Sequence, residues 1–205
     1  MTKTSSKLLA STALIALLFT GCGQYEKAQK VLPNEIAQAN ECLNSNKEFE
    51  IDCYDLISYK NSIALLRLGI QAYSKGNYEE AKNRFLVVQQ RGNFYANALL
   101  ADMYLKGKGI KQNQEKGIDL LKEVDHVDPI AAYKLAYYYI NKKDYSEAID
   151  LLTFAAKNNV KAAQKELAKI YREGKLTKVN MEKSKAFYEA YEKNENGFIN
   201  KIYGI

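Results

Sequence analysis

Apolar side chains recur every three or four residues between about residue 62 and residue 194, with polar and charged residues between them. This spacing is typical of amphipathic helices, and Gly, Asn, Asp and Pro interrupt it at regular intervals. We therefore predict eight helices, at residues 62–74, 78–90, 94–105, 114–124, 129–140, 144–157, 160–172 and 180–194. Pro129 suits a first helical turn, and Asp144 and Asn180 suit the N-cap position.

The helical region contains an internal repeat. The small residues that mark it lie 32, 35 and 32 positions apart, in the pairs Leu68-Gly69, Leu100-Ala101, Leu135-Ala136 and Leu167-Ala168. A tyrosine follows three residues later in the last three copies, at Tyr104, Tyr139 and Tyr171. Repeats of this length stack as helix pairs that bury a continuous core between neighbours.

Two kinds of repeat are present in this region. The segment 65–81, with its turn at Gly76-Asn77-Tyr78, resembles a tetratricopeptide repeat. The second and fourth copies have a longer glycine-bearing loop that leads to Gly117 or Ser184, and they resemble the Sel1-like repeat, in which Ala is usual at that position. The resemblance covers roughly residues 62–193. It implies an all-α, right-handed α-solenoid of about four helix-turn-helix repeats.

The N-terminus has the features of a secretory signal. Lys3 and Lys7 precede an apolar run at residues 8–19, which is shorter than a transmembrane helix. Thr20-Gly21-Cys22 follows and resembles the lipobox of bacterial lipoproteins, although Phe19 stands where that family usually has Leu, Val or Ile. The alternative is an ordinary signal peptide with an incidental Cys near its end.

The lipoprotein resemblance implies an extracytoplasmic protein that palmitate-type acyl chains on Cys22 tether to a membrane. Gly23 and Gln24 stand where an acidic residue would favour the inner membrane, so the resemblance implies the outer membrane, facing the periplasm. We predict a lipoprotein signal peptide at 1–21, the lipidated Cys with a short linker and a helical cap at 22–60, the repeat array at 61–194 and a tail at 195–205.

The net charge argues against a nucleic-acid partner, and the cysteines predict a disulfide rather than a metal site. The net charge of the chain is +6, and removal of Lys3 and Lys7 with the signal leaves +4, which is too weak to predict nucleic-acid binding. With Cys22 lipidated, Cys42 and Cys53 remain in an oxidising compartment, which predicts a disulfide. Two unpaired buried thiols are the alternative. The only histidine lies far from both cysteines, so we predict no metal site.

The two ends of the array need covers, because terminal repeats otherwise expose their core face. We expect Pro33 to open a helix that runs to about Cys42, and a second helix from Lys47 to Tyr59 that the disulfide joins to the first. The apolar residues of the tail are expected to cover the last repeat: Phe198, Ile199, Ile202 and Tyr203. A frayed tail is the alternative.

No motif in the chain predicts catalysis. Neither Gly-x-Ser-x-Gly nor His-Glu-x-x-His occurs, and His126 lies in an acidic segment that we interpret as a solvated turn. A hydrolase would require His126 to be buried beside a nucleophile such as Ser146 or Ser184. We therefore predict a non-enzymatic protein without a cofactor.

The repeat frame also predicts a binding groove. In tetratricopeptide-like arrays the first helices line a concave face, and helical spacing places one stripe there: Tyr95, Ala98, Asp102, Tyr133, Tyr137, Ile140, Lys165, Lys169 and Arg172. This stripe runs from an aromatic floor to a basic end, and Tyr and Arg are common binding hot spots. Solvated helix faces are the alternative.

The function that we predict is binding of a peptide or protein surface by a monomeric, membrane-anchored scaffold or regulator of the cell envelope. The alternative is an immunity protein that binds and neutralises a periplasmic toxic effector.

Overall fold

Helices form the regular structure of the residues that this computed structural model describes, 11–195 and 197–204, with side chains from Tyr25 onward. The helices in this part of the chain are α1 (Ser11–Glu41), α2 (Lys47–Ile57), α3 (Ser62–Ser74), α4 (Tyr78–Gln90), α5 (Tyr95–Lys106), α6 (Gln114–Val124), α7 (Pro129–Asn141), α8 (Tyr145–Lys157), α9 (Lys161–Glu173), α10 (Met181–Lys193) and α11 (Phe198–Tyr203). None of these helices combines the length and the apolar character that a membrane crossing requires. The predicted all-α fold is confirmed.

The eight helices predicted from the sequence correspond to α3–α10, with every boundary within one residue. Local side-chain chemistry explains this agreement. Pro129 occupies the first turn of α7, where its missing N–H costs no hydrogen bond. Asp144 accepts a hydrogen bond from the backbone N–H of Glu147 at 3.3 Å, and Asn180 accepts one from that of Lys183 at 2.9 Å, so both cap their helices as expected.

Each helix from α3 to α10 packs on the next along the chain, which builds a solenoid of four helix pairs. Small residues allow close approach within a pair. A Cβ added to Gly69 would lie 2.5 Å from the Phe85 ring of α4. In the last pair, the buried hydroxyl of Ser184 donates to the carbonyl oxygen of Ala168 at 2.7 Å. Ser184 therefore performs the packing role of the usual Ala.

The helix expected to open at Pro33 is instead one long helix, α1, with Pro33 in its interior. Residues 1–10 of the predicted signal peptide and the side chain of Cys22 lie outside the described residues. The buried face of α1 passes through the proline without a break: Ala28, Leu32, Ile36 and Ala39. Pro33 deprives the carbonyl of Gln29 of its helical donor, but both residues are exposed, so water can hydrogen-bond there.

The tail does not cover the last repeat as expected, because α11 packs against α1 and α3 at the other end of the array. The buried guanidinium of Arg67 in α3 holds the tail at this end, because its Nη2 donates to the carbonyl oxygen of Lys201 at 3.1 Å. The side chains of Ile202 and Tyr203 are buried in this docking site. Docking of the tail is thus correct, but its location is a correction to the sequence interpretation.

A disulfide joins the two cap helices. The Sγ atoms of Cys42, which follows the end of α1, and Cys53 in α2 are bonded, with their Cα atoms 5.5 Å apart. α2 ends at Ile57, two residues before the expected Tyr59, and packs on α3. Helix α2 is therefore fixed covalently to α1 by the disulfide and by packing to the first repeat.

Candidate functional site

A cleft of about 600 Å³ lies between α7, α9 and α10, and we call it the basic cleft. It is lined by four of the predicted groove residues: Tyr133, Lys165, Lys169 and Arg172. The last three share one face of α9, because they are spaced by three or four residues on the helix. The structure thus brings together the basic end of the predicted stripe.

Helix α10 supplies the opposite wall, which the sequence interpretation missed. Met181, Lys185 and Tyr188 line the cleft, and their spacing of four and three residues puts them on one stripe of α10. Met181 and Tyr188 are among the exposed large hydrophobic residues of the described chain. The spacing was visible in the sequence, but the tail was expected to cover this helix.

The charge of the basic cleft is strongly unbalanced. Its lining includes four cationic side chains, Lys165, Lys169, Arg172 and Lys185, and the single carboxylate of Glu166. The Nζ atom of Lys165 lies 5.7 Å from the centre of the Tyr191 ring, within cation–π range. A surface of this kind attracts carboxylates and offers aromatic area to apolar groups.

Tyr137 does not line the basic cleft but adjoins it through Tyr133. The two hydroxyl oxygens lie 3.1 Å apart, and the rings pack edge to face with centroids 5.3 Å apart. Burial, the hydrogen bond with Tyr133 and the negative charge of Glu166 all raise the pKa of the Tyr137 hydroxyl. Tyr137 is therefore neutral at physiological pH, and its hydrogen bond fixes the orientation of Tyr133 at the cleft wall.

Asp102 lies outside the basic cleft, and its carboxylate is hydrogen-bonded to other side chains of the array. Its carboxylate accepts hydrogen bonds from Lys106 at 2.8 Å, Lys134 at 3.0 Å and the Tyr73 hydroxyl at 3.2 Å. Burial alone would raise the pKa of Asp102, but the two lysines outweigh it and lower that pKa. Burial together with Asp102 raises the pKa of Tyr73 to about 12. Asp102 thus ties α5 to α7 rather than facing a partner.

Tyr95, at the aromatic start of the predicted stripe, lies in a different cleft of about 470 Å³ between α1, α5 and α11. Its ring packs edge-on against Phe198 of α11, with centroids 5.6 Å apart. Ala98, expected on the open face, is fully buried. The predicted stripe is therefore divided, because α11 covers its beginning and leaves its basic end open.

The residues considered for hydrolysis do not come together. The His126 side chain is 60% exposed, with Nδ1 3.5 Å from a carboxylate oxygen of Asp125. Ser184 is buried on α10, where its hydroxyl donates to a backbone carbonyl, and Ser146 lies exposed on α8. No group of three or more metal-ligating side chains occurs among the described residues.

The fold and the cleft define a class of protein, an α-solenoid of helix pairs with a cationic, aromatic surface at its last pair. The family model of the Sel1 repeat matches residues 62–84, 94–123, 129–160 and 161–190. These matches cover more than half of the chain, which therefore belongs to the Sel1 repeat family. The predicted resemblance to the Sel1-like repeat is confirmed, and Sel1 repeats generally mediate protein–protein interaction.

One curated relative is the exopolysaccharide production negative regulator of Rhizobium meliloti (strain 1021). It is 26% identical over 160 residues, which cover 69% of this chain and 60% of the relative. The chain thus spans less than two thirds of that relative's length.

Two solved structures have a similar fold. The Sel1 repeat protein from Oxalobacter formigenes matches with a TM-score of 0.67 and 24% identity, over 75% of this chain and 65% of that chain. A protective antigen with an SLR fold, present in uropathogenic Escherichia coli strains, matches with a TM-score of 0.57 and 20% identity, over 71% of this chain and 33% of that chain. At these identities the likeness shows the fold alone.

Proposed function

We propose that this chain is a non-enzymatic, monomeric protein-binding module, lipidated at Cys22 and held at the outer membrane facing the periplasm. There it serves as a scaffold or regulator of the cell envelope. The lipobox-like sequence before Cys22 supports the anchor. The name of the Rhizobium meliloti relative, a negative regulator, favours a regulatory role.

The observation that carries the binding role is the composition of the basic cleft. Tyr133 and Tyr188 give apolar contact area, while Lys169 and Arg172 supply cations for partner carboxylates. The excess of positive charge steers an acidic segment toward the cleft and rejects basic competitors. In this mechanism the aromatic rings supply contact and the cations set the orientation of the partner.

The experiment is capture of the partner by the affinity-tagged full-length chain from the detergent-solubilised envelope of its own host, read out by mass spectrometry. The double variant Tyr133→Ala/Lys169→Glu removes one aromatic and one cation from the cleft. The matched control, Tyr59→Ala/Lys111→Glu, changes an exposed tyrosine and an exposed lysine that do not line it. We expect the cleft variant to lose the partner and the control to retain it, with equal helical circular dichroism.

Equal capture by both variants would contradict a binding role for the basic cleft. The identity of a captured partner decides between the roles. An envelope enzyme or assembly factor supports the scaffold or regulator, whereas a toxic effector bound with very high affinity would make the chain an immunity protein.

A further inference from the structure

One tyrosine of α10 occupies a repeat position that is buried in every earlier pair. The small residue of each second helix sets the frame: Ala81, Gly117, Ala148 and Ser184. Four residues later, the first three pairs carry side chains that are at most 1% exposed: Phe85, Leu121 and Leu152. The same position in the last pair is Tyr188, which is 54% exposed.

A second position follows the same rule. Seven residues after the small residue, the first three pairs have fully buried side chains: Val88, Val124 and Ala155. In the last pair this residue is Tyr191, which is only partly buried. Tyr188 and Tyr191 of α10 therefore occupy the two positions that form the core between repeats elsewhere in the array.

These two positions are buried in the first three pairs because another helix follows each of those pairs. α4 packs on α5, α6 on α7 and α8 on α9, so each second helix is covered by the first helix of the next pair. After α10, the described chain turns back: the N–H of Phe198 donates to the carbonyl of Asn159 at 3.0 Å, and α11 continues to α1 and α3. Among the described residues, no further helix covers this face of α10.

The register between successive first helices indicates which chemistry fits opposite Lys169. In that register, Lys134 of α7 donates to Asp102 of α5 at 3.0 Å. One pair further, Glu166 of α9 lies close enough to Tyr137 of α7 for its charge to raise the pKa of that hydroxyl. Lys169 occupies the position in α9 that Asp102 occupies in α5 and Tyr137 occupies in α7. An added first helix would place a side chain opposite it, and a carboxylate complements its charge.

We propose that the partner binds by adding an acidic amphipathic α-helix to the open end of the array, in the place of a further first helix. Its apolar stripe covers Tyr188 and Tyr191, and its carboxylates face Lys165, Lys169 and Arg172. This inference rests on the proposed protein-binding function and specifies the form that the partner takes in the basic cleft.

The dimensions of the cleft agree with a helical ligand. Lys165 to Arg172 on α9 and Met181 to Tyr188 on α10 each span eight residues, and the rise from the first to the last is about 10 Å of helix. The two stripes form ridges with a groove between them, which is the geometry that receives a third helix. Two to three turns of the partner would fill it.

The test uses fluorescein-labelled synthetic peptides of about fifteen residues, or ~22 Å as a helix. The probe carries Leu and Ala at helical spacing with Glu beside the stripe. One control peptide has the same residues in scrambled order, and another has Lys in place of Glu. Fluorescence anisotropy with the full-length chain gives each dissociation constant. We expect the probe to bind at least about tenfold more tightly than either control.

Variants of the protein locate the site. Tyr188→Glu and Lys169→Glu should each weaken binding of the probe about tenfold or more, whereas the exposed controls Tyr59→Glu and Lys111→Glu leave it unchanged. Lys169→Glu should also improve binding of the Lys-bearing peptide. Equal affinity for the scrambled peptide would overturn the proposal, because the cleft would then recognise charge without helical order.

Two further outcomes separate this proposal from the broader function. If the native partner is captured through Tyr133 and Lys169 but Tyr188→Glu has no effect, helix addition is wrong and the binding function stands. Sedimentation equilibrium tests whether a second copy of this chain, rather than a partner helix, occupies the open face. A wild-type dimer that Tyr188→Glu converts to monomer would assign the open face to a second copy of this chain and overturn the proposal.

Discussion

Arg67 in the first repeat and Ile202 in the tail are joined by a hydrogen bond, although 135 positions separate them: Nε of Arg67 donates to the carbonyl oxygen of Ile202 at 3.3 Å. The same guanidinium donates to the carbonyl of Ala39 at 3.0 Å and to the Tyr54 hydroxyl at 3.0 Å. One buried cation thus satisfies groups from α1, α2 and the tail. The tail is therefore held against the first repeat by polar contacts to its backbone as well as by apolar packing.

Replacement of Arg67 by Met should therefore release the tail. The carbonyls of Ala39, Lys201 and Ile202 would lose a buried donor, and we expect a cost of about 2–4 kcal/mol in the free energy of unfolding. Hydrogen exchange should show faster exchange in α11, with α7–α10 unchanged. The control is Arg84→Met, which removes an ion pair with Glu80 at the surface and should cost about 0.5 kcal/mol or less. Slow exchange in α11 of Arg67→Met would contradict this role.

The elements predicted correctly from the sequence are those with local causes. Asp144 and Asn180 cap helices a few residues away, and the small residues of each pair determine its packing. The docking of α11 has no such local signal, because Arg67 reaches carbonyls more than 130 positions away. A charged residue within the apolar run Leu65–Ile70 was the one indication that a buried polar contact existed there.

In the candidate site, too, the residues predicted correctly are those with a local signal in the sequence. Helical spacing on α9 was sufficient to place Lys165, Lys169 and Arg172 together. Tyr188 was missed because its exposure depends on where the tail docks, and Asp102 was assigned to the groove because its partner Lys134 belongs to another repeat. Contacts between repeats decide which members of a predicted stripe remain accessible.

Reduction of the disulfide should destabilise the cap. Cys42 and Cys53 are 11 positions apart, and closure of a loop of this size is worth about 3 kcal/mol through the entropy of the unfolded chain. Urea unfolding with and without dithiothreitol measures the difference. The variant Cys42→Ser/Cys53→Ser serves as the control, and its stability should be low and insensitive to the reductant. A wild-type midpoint that the reductant leaves unchanged would argue against a stabilising role.

Asp128 should make stability depend on pH. This residue caps α7, accepting from the N–H of Ile130 at 2.9 Å, while its Oδ2 has no hydrogen-bond partner among the described residues. Complete burial raises the pKa of Asp128 to about 7, from 3.8. The folded state therefore keeps a proton between about pH 4 and 7 that the unfolded state releases, so stability from this group is full below pH 4 and is lost as pH rises to 7.

Asp128→Asn isolates that contribution, because Asn also caps helices and does not titrate. The difference in free energy of unfolding between wild type and variant should change with pH by up to about 1.4 kcal/mol per unit between pH 4 and 7, and should level off above pH 7. Urea titrations at several pH values measure it. A difference that is constant across this range would show that Asp128 ionises normally in the fold.

The proposed lipidation of Cys22 predicts where the protein is found in the cell. Cys22→Ser should move it from the membrane fraction to the soluble periplasmic fraction, because the acyl chains supply the attachment. Mass spectrometry of the mature N-terminus checks the modification directly. Gly23→Asp is the matched variant, since an acidic residue at this place should keep the lipidated protein at the inner membrane. Membrane pelleting of Cys22→Ser would contradict the anchor.

Substitution of Asp102 should lower the stability of the array without affecting partner binding. Asp102→Asn removes the charge that Lys106 and Lys134 share, and we expect a loss of about 1–2 kcal/mol in the free energy of unfolding. The pKa of Asp102 is lowered in the fold, so this contribution is present above the unfolded pKa and is lost as pH falls through the folded value. Partner capture should be unchanged at a temperature where the variant is folded, because Asp102 does not line the basic cleft. Loss of capture with full stability would return Asp102 to the binding surface.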